Sequence, residues 1–219
     1  MSDSEFEPIP GLPEHLPPGE RILWQGSPHW LALALNAFRL RAIAIYFVAL
    51  MVWRAVSALH DGTSLVDSLA YAFDLAPLAL AGLGLLLVIA VTAARTTIYT
   101  ITDRRVVMRF GMALPLTVNI PFSQVDGASL ARHGVETGDL SLNVRPEGRI
   151  GYLMMWPHVR PWRYAQPEPM LRALPDVERA AAILADALAA SAGAPARPLP
   201  QASTSRAHDM RGAPAPAAS

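Results

Sequence analysis

"LAPLALAGLGLLLVIAVTAARTTIYTITDRRVVMRFG", Leu75 to Gly111, decides how this chain is read. Its first part, Leu75–Ala94, carries no charge. About 20 such residues are what an α-helix needs to cross a ~30 Å hydrocarbon layer. A buried helix of a soluble protein that long shows a polar face, and this one does not. The remainder is crowded with Thr, Ile, Tyr, Val and Phe, the types that fit a pleated surface. Asp103 and Arg104 separate two strand-like runs and mark a tight turn, and Gly111 closes the second run. A membrane span over about 75–94 therefore runs straight into a β-hairpin.

Upstream, a second apolar run predicts another span over about 41–59, interrupted by Arg54 in its last third. An arginine at the bilayer centre costs roughly 2.5–3.5 kcal/mol, and less near an end where it can snorkel. Arg54 reads as an interfacial anchor or as a contact with a partner helix or pigment. Arg39 and Arg41 precede this span, and Arg95, Arg104, Arg105 and Arg109 follow the second. The loop between the spans holds Asp61, Asp67 and Asp74 and no arginine. The positive-inside rule then predicts a multi-pass membrane protein with both termini cytoplasmic and the loop between the spans outside. Before the first span, Ser27 is placed to cap a surface helix with Pro28 at its first position. Trp30 suits the headgroup region, and His29 is either a polar interfacial residue or a ligand.

The bulk composition agrees. Hydrophobic residues make up 52% of the 219 and charged residues only 16%, with a mean hydropathy of +0.27, values that favour membrane segments. Net charge is zero, so no global field favours nucleic acid. The absence of cysteine excludes disulfides, thiolate nucleophiles and Cys-ligated metal. The N-terminal stretch is acidic and Pro-rich, reads as an extended arm, and lacks the pattern of a cleaved signal peptide.

Downstream, "LPLTVNI" and "QVDGASLAR" read as two more strands, the latter bulged at Gly127. "GDLSLNV" alternates, with Leu140, Leu142 and Val144 on one face; Glu147–Gly148 is a turn and "RIGYLMMW" a further strand. A helix follows, N-capped by Asp176 and stopped by Gly193. Its stripe is Val177, Ala180, Ala181, Leu184, Ala187 and Leu188. The predicted architecture is α+β with a membrane part: residues 1–26 an arm and first strand, 27–95 a surface helix and two-helix transmembrane hairpin. Residues 96–191 form a cytoplasmic antiparallel β-sandwich or barrel capped by a C-terminal helix, and 192–219 a disordered tail.

The hairpin residues Tyr99, Ile101, Thr102, Arg105 and Val106, with "ILWQG" upstream, resemble the bacterial PH-like membrane domains. A longer likeness lies in "FEPIPGLPEHLPPGERILWQG" and "YLMMWPHVRPWRYAQPEPMLRALPD". These resemble the photosynthetic complex (reaction centre) assembly proteins of purple bacteria, the PuhB type, up to Ser191. That resemblance implies a non-enzymatic assembly factor for the reaction centre and light-harvesting core complex, without cofactors. Its partners would be reaction-centre or light-harvesting subunits, membrane lipids and a second copy in a homodimer.

"WPHVRPWR", Trp156–Arg163, fits neither helix nor strand. Pro157 and Pro161 cannot donate to a ladder, so the chain must leave the sheet after Trp156. Stiff, Trp- and Arg-rich surface segments favour binding. One reading makes Trp156, His158, Arg160, Trp162 and Arg163 a docking surface for a partner. The other has the tryptophans covering the core with arginines stacked on them, Trp156 being the better core candidate. Arg104, Arg105 and Arg109 either hold anionic lipid or an acidic partner, at roughly 1 kcal/mol per charge, or only fix topology. The alternative to an assembly factor is a generic PH-like module binding lipid or peptide in another envelope process. An enzyme is disfavoured: no G-x-S-x-G, phosphate loop or metal-ligand spacing occurs, and no His lies within either span.

Overall fold

The change of period after Ala94 is a change of structure. The computed structural model describes residues 12, 16–111, 115–133, 137–145, 151–161, 167–193 and 199–201. Strand β1 (Ile22–Gly26) leads to a short helix α1 (Trp30–Ala32) that loosens into a π-helical turn, Leu33–Ala37. Helices α2 (Leu40–His60), α3 (Leu65–Phe73) and α4 (Ala76–Thr96) follow. Helix α2 buries no residue and exposes Ile45, Val48, Val52, Trp53 and Val56. Helix α4 exposes Leu78, Leu80, Leu85 and Val88. Both are long and apolar enough to cross a membrane.

The acidic connection between them is a helix, where the sequence reading has only a loop. Ser64 Oγ accepts from the Asp67 amide at 3.2 Å and donates to its carboxylate at 2.6 Å. This serine N-cap starts α3. Its Ser68 and Ala72 are buried while Leu65, Val66, Leu69 and Phe73 are exposed. Three aspartates hid that amphipathic period.

Strands β2 (Ile98–Thr102), β3 (Arg105–Phe110) and β4 (Leu116–Pro121) join β1 in an antiparallel sheet of order β1-β2-β3-β4. A second antiparallel sheet has the order β5-β6-β7, from Val125–His133, Thr137–Val144 and Met170–Pro175. The register slips between Val125 and Gly127, the bulge that Gly127 predicts. The core lies between the sheets: Tyr99, Ile101, Val106 and Met108 meet Leu140, Leu142, Leu171 and Leu174. Helix α6 (Val177–Ala192) closes it with Val177, Ala180, Ala181, Leu184 and Ala187, and Gly193 caps its C-terminus at φ 62°. Each large buried aliphatic side chain contributes about 1.5–3 kcal/mol.

Several expectations are corrected. The stretch expected as a strand at "RIGYLMMW" contains a single helical turn α5 (Tyr152–Met155), which drives Met155 into the core. Its place in the sheet is taken by β7. That strand is buried on both faces, so it shows no alternation to read. Asp176 precedes α6 in a left-handed conformation (φ 49°) and makes no side-chain cap. Helix α1 is capped by His29, not Ser27: the His29 amide donates to Ala173 O at 2.7 Å, fixing where the helix begins. The Glu147–Gly148 turn lies outside the described residues, as do most of the N-terminal arm and of the tail.

Candidate functional site

The end of α4 and the sheet meet at a buried polar cluster. Thr97 follows the last turn of α4 and is buried; its hydroxyl donates to Ala93 O at 2.7 Å. The same oxygen lies 3.3 Å from His158 Nε2, and Tyr99 Oη lies 2.7 Å from His158 Nδ1. Because the Thr97 proton is directed to Ala93, Nε2 must be the protonated nitrogen, and Nδ1 then accepts from Tyr99. Tyr99 Oη in turn accepts the Arg172 amide at 3.2 Å. Every hydroxyl and ring nitrogen in this chain has a role consistent with neutral imidazole.

Electrostatics fix that state. His158 is 1% exposed, and burial, aided by the Arg172 guanidinium, pushes its pKa down to about 3. Burial likewise raises the Tyr99 phenol. Arg172 NH2 donates to Val159 O at 3.2 Å, while its buried Nε has no hydrogen-bond partner. Beyond it, Asp139 accepts the Ala173 amide at 2.8 Å and lies 2.8 Å from His133 Nε2. That hydrogen bond raises the His133 pKa. Ala173 itself stands at φ 52°, a left-handed backbone conformation within β7. It packs with Leu33, Ala34, Phe38, Ala90, Ala93 and Ala94. Sheet and hairpin are thus joined by one apolar seam and one hydrogen-bonded chain.

The sequence-predicted docking residues separate here. His158 is buried in the junction, with both ring nitrogens engaged by Thr97 and Tyr99. Arg160 is engaged by Glu168 at 2.9 Å, and the Arg160 amide donates to Glu168 O. Trp156, read either as a docking residue or as core cover, is 52% exposed and stands edge-on to Phe38 with ring centroids 5.5 Å apart. It ends α5, not a strand, and so turns outward. Trp162 and Arg163 lie outside the described residues.

The arginine trio divides as well. Arg105 forms a bidentate pair with Glu20, at 2.8 and 3.1 Å, and the Glu20 side chain is only 2% exposed. Arg104 is exposed at the β2–β3 turn, and Arg109 is half-buried in β3 opposite Ile98, next to the end of α4. Among the described residues, no three His, Asp or Glu side chains converge as a metal site. The roles of Thr97, Asp139 and Arg172 were not legible. The one signal was Arg172 itself, a charge set inside the apolar run "MLRALP".

Residues 31–188 match the family model described as Bacterial PH domain. The chain is also similar to a protein of Rhodobacter capsulatus whose name is "Uncharacterized 23.7 kDa protein in puhA 5'region". The two are 38% identical over 194 residues, 88% of this chain and 91% of that one. No solved structure matches.

Proposed function

The chain belongs to the bacterial PH-domain family, and from that premise we propose a membrane-anchored assembly factor for the photosynthetic reaction centre and light-harvesting core complex. It acts by protein–protein contact, without catalysis and without a cofactor. The observation that carries this reading is the Rhodobacter capsulatus relative, alike over nearly the whole of both chains and named for the puhA region, a photosynthesis-operon setting. The two long apolar helices support it by supplying an anchor.

In this reading α2 and α4 span the inner membrane, both termini are cytoplasmic, and α3 lies at the opposite surface. The junction holds the sheets against the inner leaflet, where Trp156 faces a reaction-centre or light-harvesting subunit and Arg104 and Arg109 face anionic lipid. A second copy is a further partner; nucleic acid is not.

A deletion strain scored for reaction-centre and antenna absorbance tests the proposal. Both bands should fall and return on complementation. A normal spectrum would remove the reading and leave a PH-like module serving another envelope process. Pull-down from solubilised membranes should bring reaction-centre subunits with the tagged chain.

A further inference from the structure

The second sheet ends in the edge strand β5. Between it and the last turns of α6 runs a groove of about 380 Å³, walled by Val125 and Ala128 on one side and Leu188 and Ala189 on the other. Clefts of roughly 300–1,000 Å³ are the usual size for a bound ligand. One charged residue lines this groove, Asp126, and it is paired with Arg145 at 2.7 Å.

The chain's own C-terminal segment already lies there. The Leu130 amide donates to Pro200 O at 3.0 Å, and Leu130 and Gln201 form a parallel bridge. Leu199 packs against the core, and Leu199 and Pro200 line the groove. Strand period places the main chains of Ala128 and Arg132 on the same edge as that of Leu130. Pro200 suits such a position, because an outermost strand does not need every amide.

We propose that this groove is a peptide-binding site for an extended, uncharged segment bearing leucine followed by proline. Residues Leu199–Gln201 are its resident ligand in cis, and a partner segment of the same chemistry binds by displacing them. Main-chain hydrogen bonds to β5 supply affinity, and the apolar wall of α6 selects the side chain. The tethered segment sits at high effective concentration, so it gates access from outside.

The test uses the full chain in lipid nanodiscs and a labelled peptide of residues 198–203, PLPQAS. In the Leu199→Asp chain the cis segment leaves the groove, and the peptide should bind about 10-fold or more tightly than to the wild-type chain. Adding Ala189→Trp should abolish that binding. Hydrogen exchange at the Leu130 amide should be slow in wild type, fast in Leu199→Asp and slow again with peptide. Leu199→Ser replaces Leu199→Asp if the carboxylate unfolds the domain. Equal binding to both chains, no binding to the opened one, or unchanged exchange at Leu130 overturns the proposal.

Discussion

The phenolic oxygen of Tyr99 lies 2.7 Å from Nδ1 of His158, across a sequence separation of 59 residues. One residue lies in the first strand after the long apolar helix α4; the other sits in the Trp/Pro/Arg segment. Their bond ties that segment to the base of α4 through Thr97. The fold therefore uses its oddest sequence to hold the sheets to the helices.

Tyr99→Phe tests that link. The ring stays in the core, but His158 Nδ1 loses its donor and the Arg172 amide its acceptor. A buried group left unpaired costs about 1–3 kcal/mol. A drop in thermal midpoint of several degrees is expected in detergent-solubilised protein. An unchanged midpoint would mean that water or another group satisfies His158.

Two histidines give opposite pH dependences. Folded His158 has its pKa near 3, against about 6.5 in the unfolded chain, so the unfolded state alone takes up its proton between those values. Its contribution is complete above pH ~6.5 and fades as pH falls toward 3. His133 is raised by Asp139, so its contribution is complete below the unfolded pKa and is lost as pH rises through the folded one. The stability gap between wild type and His133→Ala, measured by thermal unfolding, should be largest in acid and shrink with rising pH. A gap that grows with pH would contradict the pairing with Asp139.

Much of this fold was legible where one physical rule acted alone. The long apolar helices α2 and α4 follow from uncharged length, β2 and β3 from β-branched residues around a turn, and α6 from its 3.6-residue stripe. The reading failed where two rules competed. Strand β7 is buried on both faces and begins directly after Pro169, so neither alternation nor a clean start marked it. Helix α3 was masked by Asp67 within it and by the flanking Asp61 and Asp74. His158 was read as a surface residue because its neighbours are prolines, tryptophan and arginines. Its partners Thr97 and Tyr99 are distant in sequence, and no local pattern brings them to it.

Gly138 shows how closely α6 seats on the second sheet. A Cβ there would stand 2.6 Å from Ala131 O and 2.7 Å from Val177 Cγ1. One obstacle is backbone, which cannot move without opening the β5–β6 ladder. Gly138→Ala should cost about 1–3 kcal/mol by overpacking. Gly127→Ala, with nothing within 4 Å of the added carbon, should be tolerated. Denaturation curves of the two variants should separate clearly.

Arg104 and Arg105 are neighbours with different duties. Arg105→Ala leaves the Glu20 carboxylate buried without its bidentate partner. A loss of about 1–3 kcal/mol is expected, less than for a fully buried pair because the arginine is partly solvated. Arg104→Ala should change stability by less than about 0.5 kcal/mol. If the hairpin contacts anionic lipid, only Arg104→Ala should lower binding to phosphatidylglycerol vesicles at an unchanged melting temperature. Equal vesicle binding by wild type and Arg104→Ala would leave the arginine a topology signal alone.

Trp156 is the described member of the Trp/Pro/Arg stretch still available to a partner. His158 is buried and Arg160 is paired with Glu168, so in the proposed function the exposed indole is the main candidate contact among the described residues of the stretch. Its edge contact with Phe38 orients it beside the helical hairpin, and aromatic anchors of this kind dominate binding energy. Trp156→Ala should leave the thermal midpoint nearly unchanged, because half the side chain is already in contact with solvent or lipid. In a complemented deletion strain the same variant should recover less reaction-centre absorbance than wild type, and Trp156→Phe more than Trp156→Ala. Full recovery by Trp156→Ala would move the docking surface away from this segment. A large fall in midpoint would instead make Trp156 part of the seam that seats the sheets on the hairpin.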